Sequence, residues 1–323
     1  MDLLNLIQRR FSLLTGMWAL CVISIGPARA QGPTPETGAT LFPGGAYVSY
    51  NSMLTTRRTV SRVSALSLAV RPLFEHEAPF TFTWGIRRDF QLTAVVPIVT
   101  TRFDALAAGS SGSAPATVGG TGLGDILFFL KYRFLRRDSE RGTTQTSVSL
   151  GPKLPTGRTS LRDHLGVLLP AGLQPGSGSA DLFLNVSGTY TGLFHVERLV
   201  ADESLTYLWR FEGTQRTQLG SSLESRFWLS YRPYQSPSVD KEWWVGPAVT
   251  WRHLGDDREV GVRQANSGGD ALLLGITTYV SPRAGMNLWF GVDFPVAQTT
   301  NQAQIEMKRR YSFGITQQFR LRN

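Results

Sequence analysis

The sequence is poor in the residues that carry most reactive chemistry. It holds one cysteine, Cys21, and four histidines, His76, His164, His195 and His253, that are scattered along 323 residues. Disulfides and thiolate metal sites need paired cysteines, and no two histidines show metal-ligand spacing, so no metal is expected. Cofactor signatures are also missing. Gly120, Gly122 and Gly124 follow a G-x-G-x-G spacing without the third glycine of a dinucleotide fingerprint. Lys153-Leu154-Pro155-Thr156-Gly157 has no glycine run before its lysine, so it is not a phosphate loop. No G-x-S-x-G turn is present, which leaves Ser160, Asp163 and His164 as three polar residues of one loop rather than a hydrolase triad. The expectation is a protein without cofactor or catalytic residues. Beyond the first 30 residues, no apolar run is long enough for a transmembrane helix, which needs about 20 residues.

What is present begins with an export signal. Arg9 and Arg10 form a basic end, Phe11 to Ile25 are largely apolar, and Ala28-Arg29-Ala30 has the small-x-small pattern of a signal peptidase site. Residues 1–30 read as a cleaved signal peptide, with Gln31 starting the mature chain. Cys21 lies inside the apolar run, and Trp18-Ala19-Leu20 before it argues against a lipid anchor. Removing Asp2, Arg9, Arg10 and Arg29 takes one negative and three positive charges from the formal net charge of +9 and leaves the mature chain basic. Its arginines are spread along the chain rather than blocked together, so nucleic acid is not an expected partner. Outer-membrane lipid, anionic lipopolysaccharide and small-molecule solutes are.

Hydrophobic residues make up 41% of the chain and recur with period two. Ile126, Phe128, Leu130, Tyr132 and Phe134 share one face of a strand, and Asp125, Lys131 and Arg133 lie on the other with Leu127 and Phe129 between. Near the C-terminus, Tyr311, Phe313, Ile315, Phe319 and Leu321 alternate with polar residues that include Arg310, Arg320 and Arg322. Soluble sandwiches alternate in the same way. Strand length favours the membrane, because about 9 to 11 residues cross a bilayer at a tilt, and 270–280, 286–295 and 309–322 reach that length. Trp84, Tyr207, Trp209, Tyr231, Tyr234, Trp243, Trp244, Trp251 and Tyr279 sit where interfacial girdles would lie.

Loop parity supports the same reading. Short breaks are expected at Arg87 to Asp89, Arg136 to Gly142, Ala201 to Ser204, Pro233 to Lys241 and Ser281 to Gly285. Between them fall Thr100 to Thr121, Thr156 to Ser179, Gly213 to Thr217, Leu254 to Gly269 and Ala297 to Met307. Outer-membrane barrels alternate short periplasmic turns with longer external loops. Residues 45–323 therefore read as an all-β, transmembrane, antiparallel up-and-down barrel of about 12 strands, within a range of roughly 10 to 14. Three of them would precede residue 98, divided near Arg57-Arg58 or Glu75 to Ala78. Residues 31–44, rich in Gly, Pro and Thr, read as a periplasmic lead or a lumen insert.

Four short motifs fall at strand ends. They are Trp84-Gly85-Ile86-Arg87-Arg88-Asp89-Phe90, Gly122-Leu123-Gly124-Asp125, Lys153-Leu154-Pro155-Thr156-Gly157 and Gly176-Ser177-Gly178-Ser179-Ala180-Asp181. In order and spacing they resemble the outer-membrane transporter family named for the MetA pathway of phenol degradation, from about residue 80 to the C-terminus. The resemblance implies a bacterial outer-membrane barrel that passes small, aromatic molecules. The chain departs from the usual pattern at its end, where Arg320-Leu321-Arg322-Asn323 follows Phe319.

The leading expectation is a passive channel for small aromatic or anionic solutes. A structural or adhesion barrel with a plugged lumen, and a lipid-modifying barrel enzyme, are the alternatives. Lumen candidates are Asp125, Lys131, Arg133, Lys153, Asp181, Arg310 and Arg320. Basic side chains outnumber acidic ones in that set, which predicts a preference for anions.

Overall fold

The computed structural model describes residues 37–59, 74–105, 116–140, 142–163, 166–236, 241–265, 267–300 and 305–320. Residues 1–30, expected to be a signal peptide, lie outside these residues, as do 31–36 of the expected lead, His164 and Arg322.

Period-two chemistry builds long strands. They are β1 (Gly45–Thr59), β2 (Phe74–Arg87), β3 (Phe90–Ala105), β4 in two segments (Ala116–Leu123 and Ile126–Ser139), β5 (Gly142–Leu154) and β6 (Asp181–Thr191). The second half comprises β7 (Leu199–Trp209), β8 (Ser222–Gln235), β9 (Glu242–Leu254), β10 (Gly269–Arg283), β11 (Met286–Thr300) and β12 (Ile305–Arg320). Each pairs antiparallel with its sequence neighbours, and β1 pairs with β12 from Gly45↔Arg320 to Thr59↔Ile305, closing a 12-strand barrel. Among the described strands, closure leaves only the segment Ala116–Leu123 with a single partner; a bilayer would not tolerate an open edge in the spanning region. Both segments of β4 pair with β3, and Gly124-Asp125 interrupt the strand between them.

The outer face is apolar. Phe128, Leu130, Tyr132 and Phe134 point outward, as do Leu92, Leu150 and Leu184, which lie beside Leu130 in successive registers. Phe129 is only 2% exposed and packs inside against Phe183, with ring centroids 5.1 Å apart. Trp84, Tyr231, Tyr234 and Trp243 are exposed towards one rim, Tyr207 and Trp209 towards the other. Two girdle candidates face inward instead: Trp244 is buried, and Tyr279 lines the lumen.

Short turns join β2 to β3 at Arg88-Asp89 and β10 to β11 at Ala284-Gly285, on the rim where Gly45 meets Arg320. That rim is the periplasmic one by the rule that short turns and termini share it. The expected break at Ala201 to Ser204 is wrong, because these residues belong to β7 and three of them are buried. An acidic pair within a strand reads like loop polarity in one dimension. The turn is 192–198, where Gly192 adopts φ 71°. Arg136 to Asp138 likewise continue β4, and Arg57-Arg58 and Glu75 to Ala78 lie within β1 and β2 rather than between them. The last external connection is shorter than expected, since β11 runs to Thr300 and β12 starts at Ile305.

Candidate functional site

Three of the four motifs converge at the external end of β4, β5 and β6. Lys153 Nζ lies 2.5 Å from Asp125 Oδ2 and 2.7 Å from Asp181 Oδ2, and both carboxylates are almost wholly buried. Asp125 also accepts hydrogen bonds from Gly157 N at 3.0 Å, Ser177 N at 2.8 Å and Ser177 Oγ at 2.6 Å. Asp181 accepts one from Phe211 N at 3.0 Å. The loop 155–180 is thereby tied at both ends to one carboxylate. Its own small core is Leu161 and Leu169 with Leu173 against them, and Gln174 bonds the backbone of Leu161 and Leu169. Two glycines permit this geometry. A Cβ on Gly176 would sit 2.5 Å from Gly157 Cα, so Gly176→Ala is expected to destabilise the barrel by about 1–3 kcal/mol, read as a lower unfolding midpoint. No change in the midpoint would show that the loop yields freely.

Lys131 and Arg133 hold a second element. Lys131 Nζ donates to the Thr37 carbonyl, which also accepts from Ser187 Oγ at 2.8 Å. Gly38 N donates to Thr189 Oγ1 at 2.9 Å, Leu41 N to Gln91 Oε1 at 3.0 Å, and Gly44 N to Gly85 O at 2.9 Å. Thr37 to Gly44 therefore run inside the barrel wall from the periplasmic rim. Arg133 clamps that rim, donating to Asp89 Oδ1 at 2.6 Å, Gln145 Oε1 at 2.6 Å and Arg88 O at 3.0 Å.

These two insertions occupy the side of the lumen walled by β3 to β6. The opposite side, walled by β1, β2 and β7 to β12, encloses a cavity of about 450 Å³. Of the sequence candidates only Arg310 lines it. Asp125, Lys153 and Asp181 are spent in the loop anchor, Lys131 and Arg133 in holding the insert and the rim, and Arg320 is exposed at the periplasmic end of β12. The cavity wall carries three guanidiniums, from Arg226, Arg252 and Arg310, against carboxylates from Glu77, Asp202, Glu203, Glu224 and Asp293. The basic excess expected from the sequence set is thus absent from this wall. Arg310 Nε donates to Asp293 Oδ2 at 2.8 Å and lies 3.9 Å from Glu224. Tyr47, Trp228, Tyr279 and Trp289 supply aromatic surface, and Trp289 Nε1 donates to Asn51 Oδ1 at 3.2 Å. Apart from Glu203, each of these missed residues sits on the inward register of its strand. Alternation marks that register, but only closure of the ring tells which inward residues share a space.

The family model described as "Putative MetA-pathway of phenol degradation" matches residues 44–308. The chain belongs to this family. The match to the phenol-degradation family begins where the lumen insert ends and runs through all four motifs. An outer membrane channel from Pseudomonas putida F1 aligns over 90% of this chain and 100% of its own, with TM-score 0.61 and 14% identity. The β domain of the Bordetella autotransporter BrkA aligns over 85% and 100%, with TM-score 0.49 and 10% identity. No curated protein matches the sequence. The family match, the closed barrel and its apolar belt place this family member in the bacterial outer membrane.

Proposed function

We propose that the barrel is a narrow passive channel for small molecules across the outer membrane. The observation that carries this reading is the cavity of about 450 Å³, polar and aromatic on its wall, inside a barrel whose outer face is apolar. A structural barrel has no need of paired charges and indoles around an open interior. The fold relative from Pseudomonas putida is described as an outer membrane channel, which agrees with this reading. The family description and the aromatic wall favour aromatic solutes. Barrels of 16 to 18 strands leave a wide aqueous channel, so one of 12 strands with two insertions selects by its wall.

Planar bilayers test the proposal. Small, discrete current steps are expected from the purified barrel. With carboxylates exceeding guanidiniums along the cavity, reversal potentials under a salt gradient should show cation preference at low salt, fading as salt approaches 1 M, where the screening length is about 3 Å. A strong anion preference would mean that ions bypass this cavity. A plugged structural barrel is the second reading, favoured by the Thr37 to Gly44 insert, and it requires silence in the same experiment.

A further inference from the structure

Two charges on the cavity wall stand apart from the rest. Glu77 on β2 and Arg252 on β9 line the cavity from opposite sides of the barrel, each within the other's field, with Glu75 also acting on Glu77 and Arg210 on Arg252. Yet neither side chain enters a hydrogen bond or an ion pair among the described residues. Arg310, by contrast, is neutralised by Asp293. A secluded charge without a bonded partner is costly, and a solute with complementary charges would supply both partners. On β8, next to Arg252's strand, Trp228 Nε1 is a buried donor with no acceptor among the described residues. It calls for an acceptor atom on whatever occupies the space.

We infer that the cavity is a binding site for a small zwitterionic solute with an apolar side group, its carboxylate on Arg252 and its ammonium on Glu77. A guanidinium binds a carboxylate through paired, charge-assisted hydrogen bonds, and a carboxylate does the same for an ammonium. The side group meets Trp228, Tyr279 and Trp289. A volume of about 450 Å³ lies within the usual span of small-molecule sites, about 300–1,000 Å³. The inference relies on the channel reading only for the route by which the solute arrives.

Calorimetric titration of the full-length barrel in detergent decides it, with three probes of nearly equal size. L-phenylalanine carries both charges, 3-phenylpropionate lacks the ammonium and 2-phenylethylamine lacks the carboxylate. Phenylalanine should bind about tenfold or more tightly than either, since each charge-assisted bond is worth at least that factor. Glu77→Gln should reduce phenylalanine to the affinity of phenylpropionate, and Arg252→Gln to that of phenylethylamine. Equal binding of a singly charged probe, or no binding of any of the three, overturns the inference. The three-probe comparison on the unsubstituted protein holds even if a variant fails to fold. Binding without current would remove the channel reading and keep the site, and current without discrimination would do the reverse.

Discussion

Replacing Lys153 by methionine is expected to destabilise the barrel by about 3–5 kcal/mol, the cost of leaving a buried charge uncompensated. Lys153 sits between Asp125 and Asp181, whose side chains are 5% and 0% exposed, so its loss leaves two carboxylates facing each other without a cation. Asp181→Asn should cost less, because the Lys153 and Asp125 pair remains and the amide oxygen can still accept from Phe211 N. The measurement is the urea midpoint for loss of the fast-migrating folded form on unheated gels. Asp125→Asn tests the loop itself. It weakens three hydrogen bonds to residues 157 and 177 at once, so proteolysis within 155–180 should rise before the barrel unfolds. Equal midpoints for Lys153→Met and Asp181→Asn would show that the three groups do not act as one cluster.

This anchor explains why the motifs of the family fall where they do. Gly122 to Asp125 break β4 and turn a carboxylate inward, Lys153 to Gly157 bring the cation and one backbone donor, and Gly176 to Asp181 bring a second donor and the second carboxylate. Each motif alone is a loop entry. Together they fold a long external loop across the mouth and leave the other half of the lumen open. The periplasmic half of the same wall is filled by the lead, through Lys131, Ser187, Thr189 and Gln91. The asymmetry of the lumen therefore follows from which strands carry side chains that bond the loop and the lead and which do not.

Much of the wall was legible in one dimension because period-two alternation survives whatever the neighbouring strand is. The strand from Ile126 to Phe134 shows it, with aromatic and aliphatic groups out and Lys131 and Arg133 in. Where a strand carried two adjacent acids, one on each face, legibility failed. Asp202 and Glu203 in β7 looked like a turn, yet Asp202 accepts a hydrogen bond from Thr189 Oγ1 at 2.6 Å and Glu203 one from Tyr190 Oη at 2.7 Å. The cavity was harder still. Glu77 and Arg252 lie far apart in sequence, on strands that do not pair, and only the closed ring brings them to one cavity. Asp293 shows the opposite case: its polar register was visible, but its partner Arg310 is fixed by the pairing of β11 with β12.

The register of the wall can itself be put to a measurement. Phe128 projects outward, 37% exposed, in the same row as Leu130 and Tyr132, whereas Leu127 faces inward beside the strand that carries Lys153. Arginine on the lipid face costs about 2–4 kcal/mol near the bilayer midplane and about 0–1 near the interface. Phe128→Arg also loses aromatic contact with lipid, so a value in the upper range is expected. Leu127→Arg places its guanidinium on the lumen side, between the carboxylate of Asp125 and the ammonium of Lys153, where no lipid is met, and its cost should be smaller by about 1–2 kcal/mol. Equilibrium unfolding in lipid vesicles gives both numbers. A shift of one residue in register would exchange the two faces along the whole strand, so the order of the two variants, more than either value, identifies which face meets the membrane. If Leu127→Arg proves the costlier, the inward assignment of Lys131 and Arg133 fails with it, and so does the account of what holds Thr37 inside the barrel.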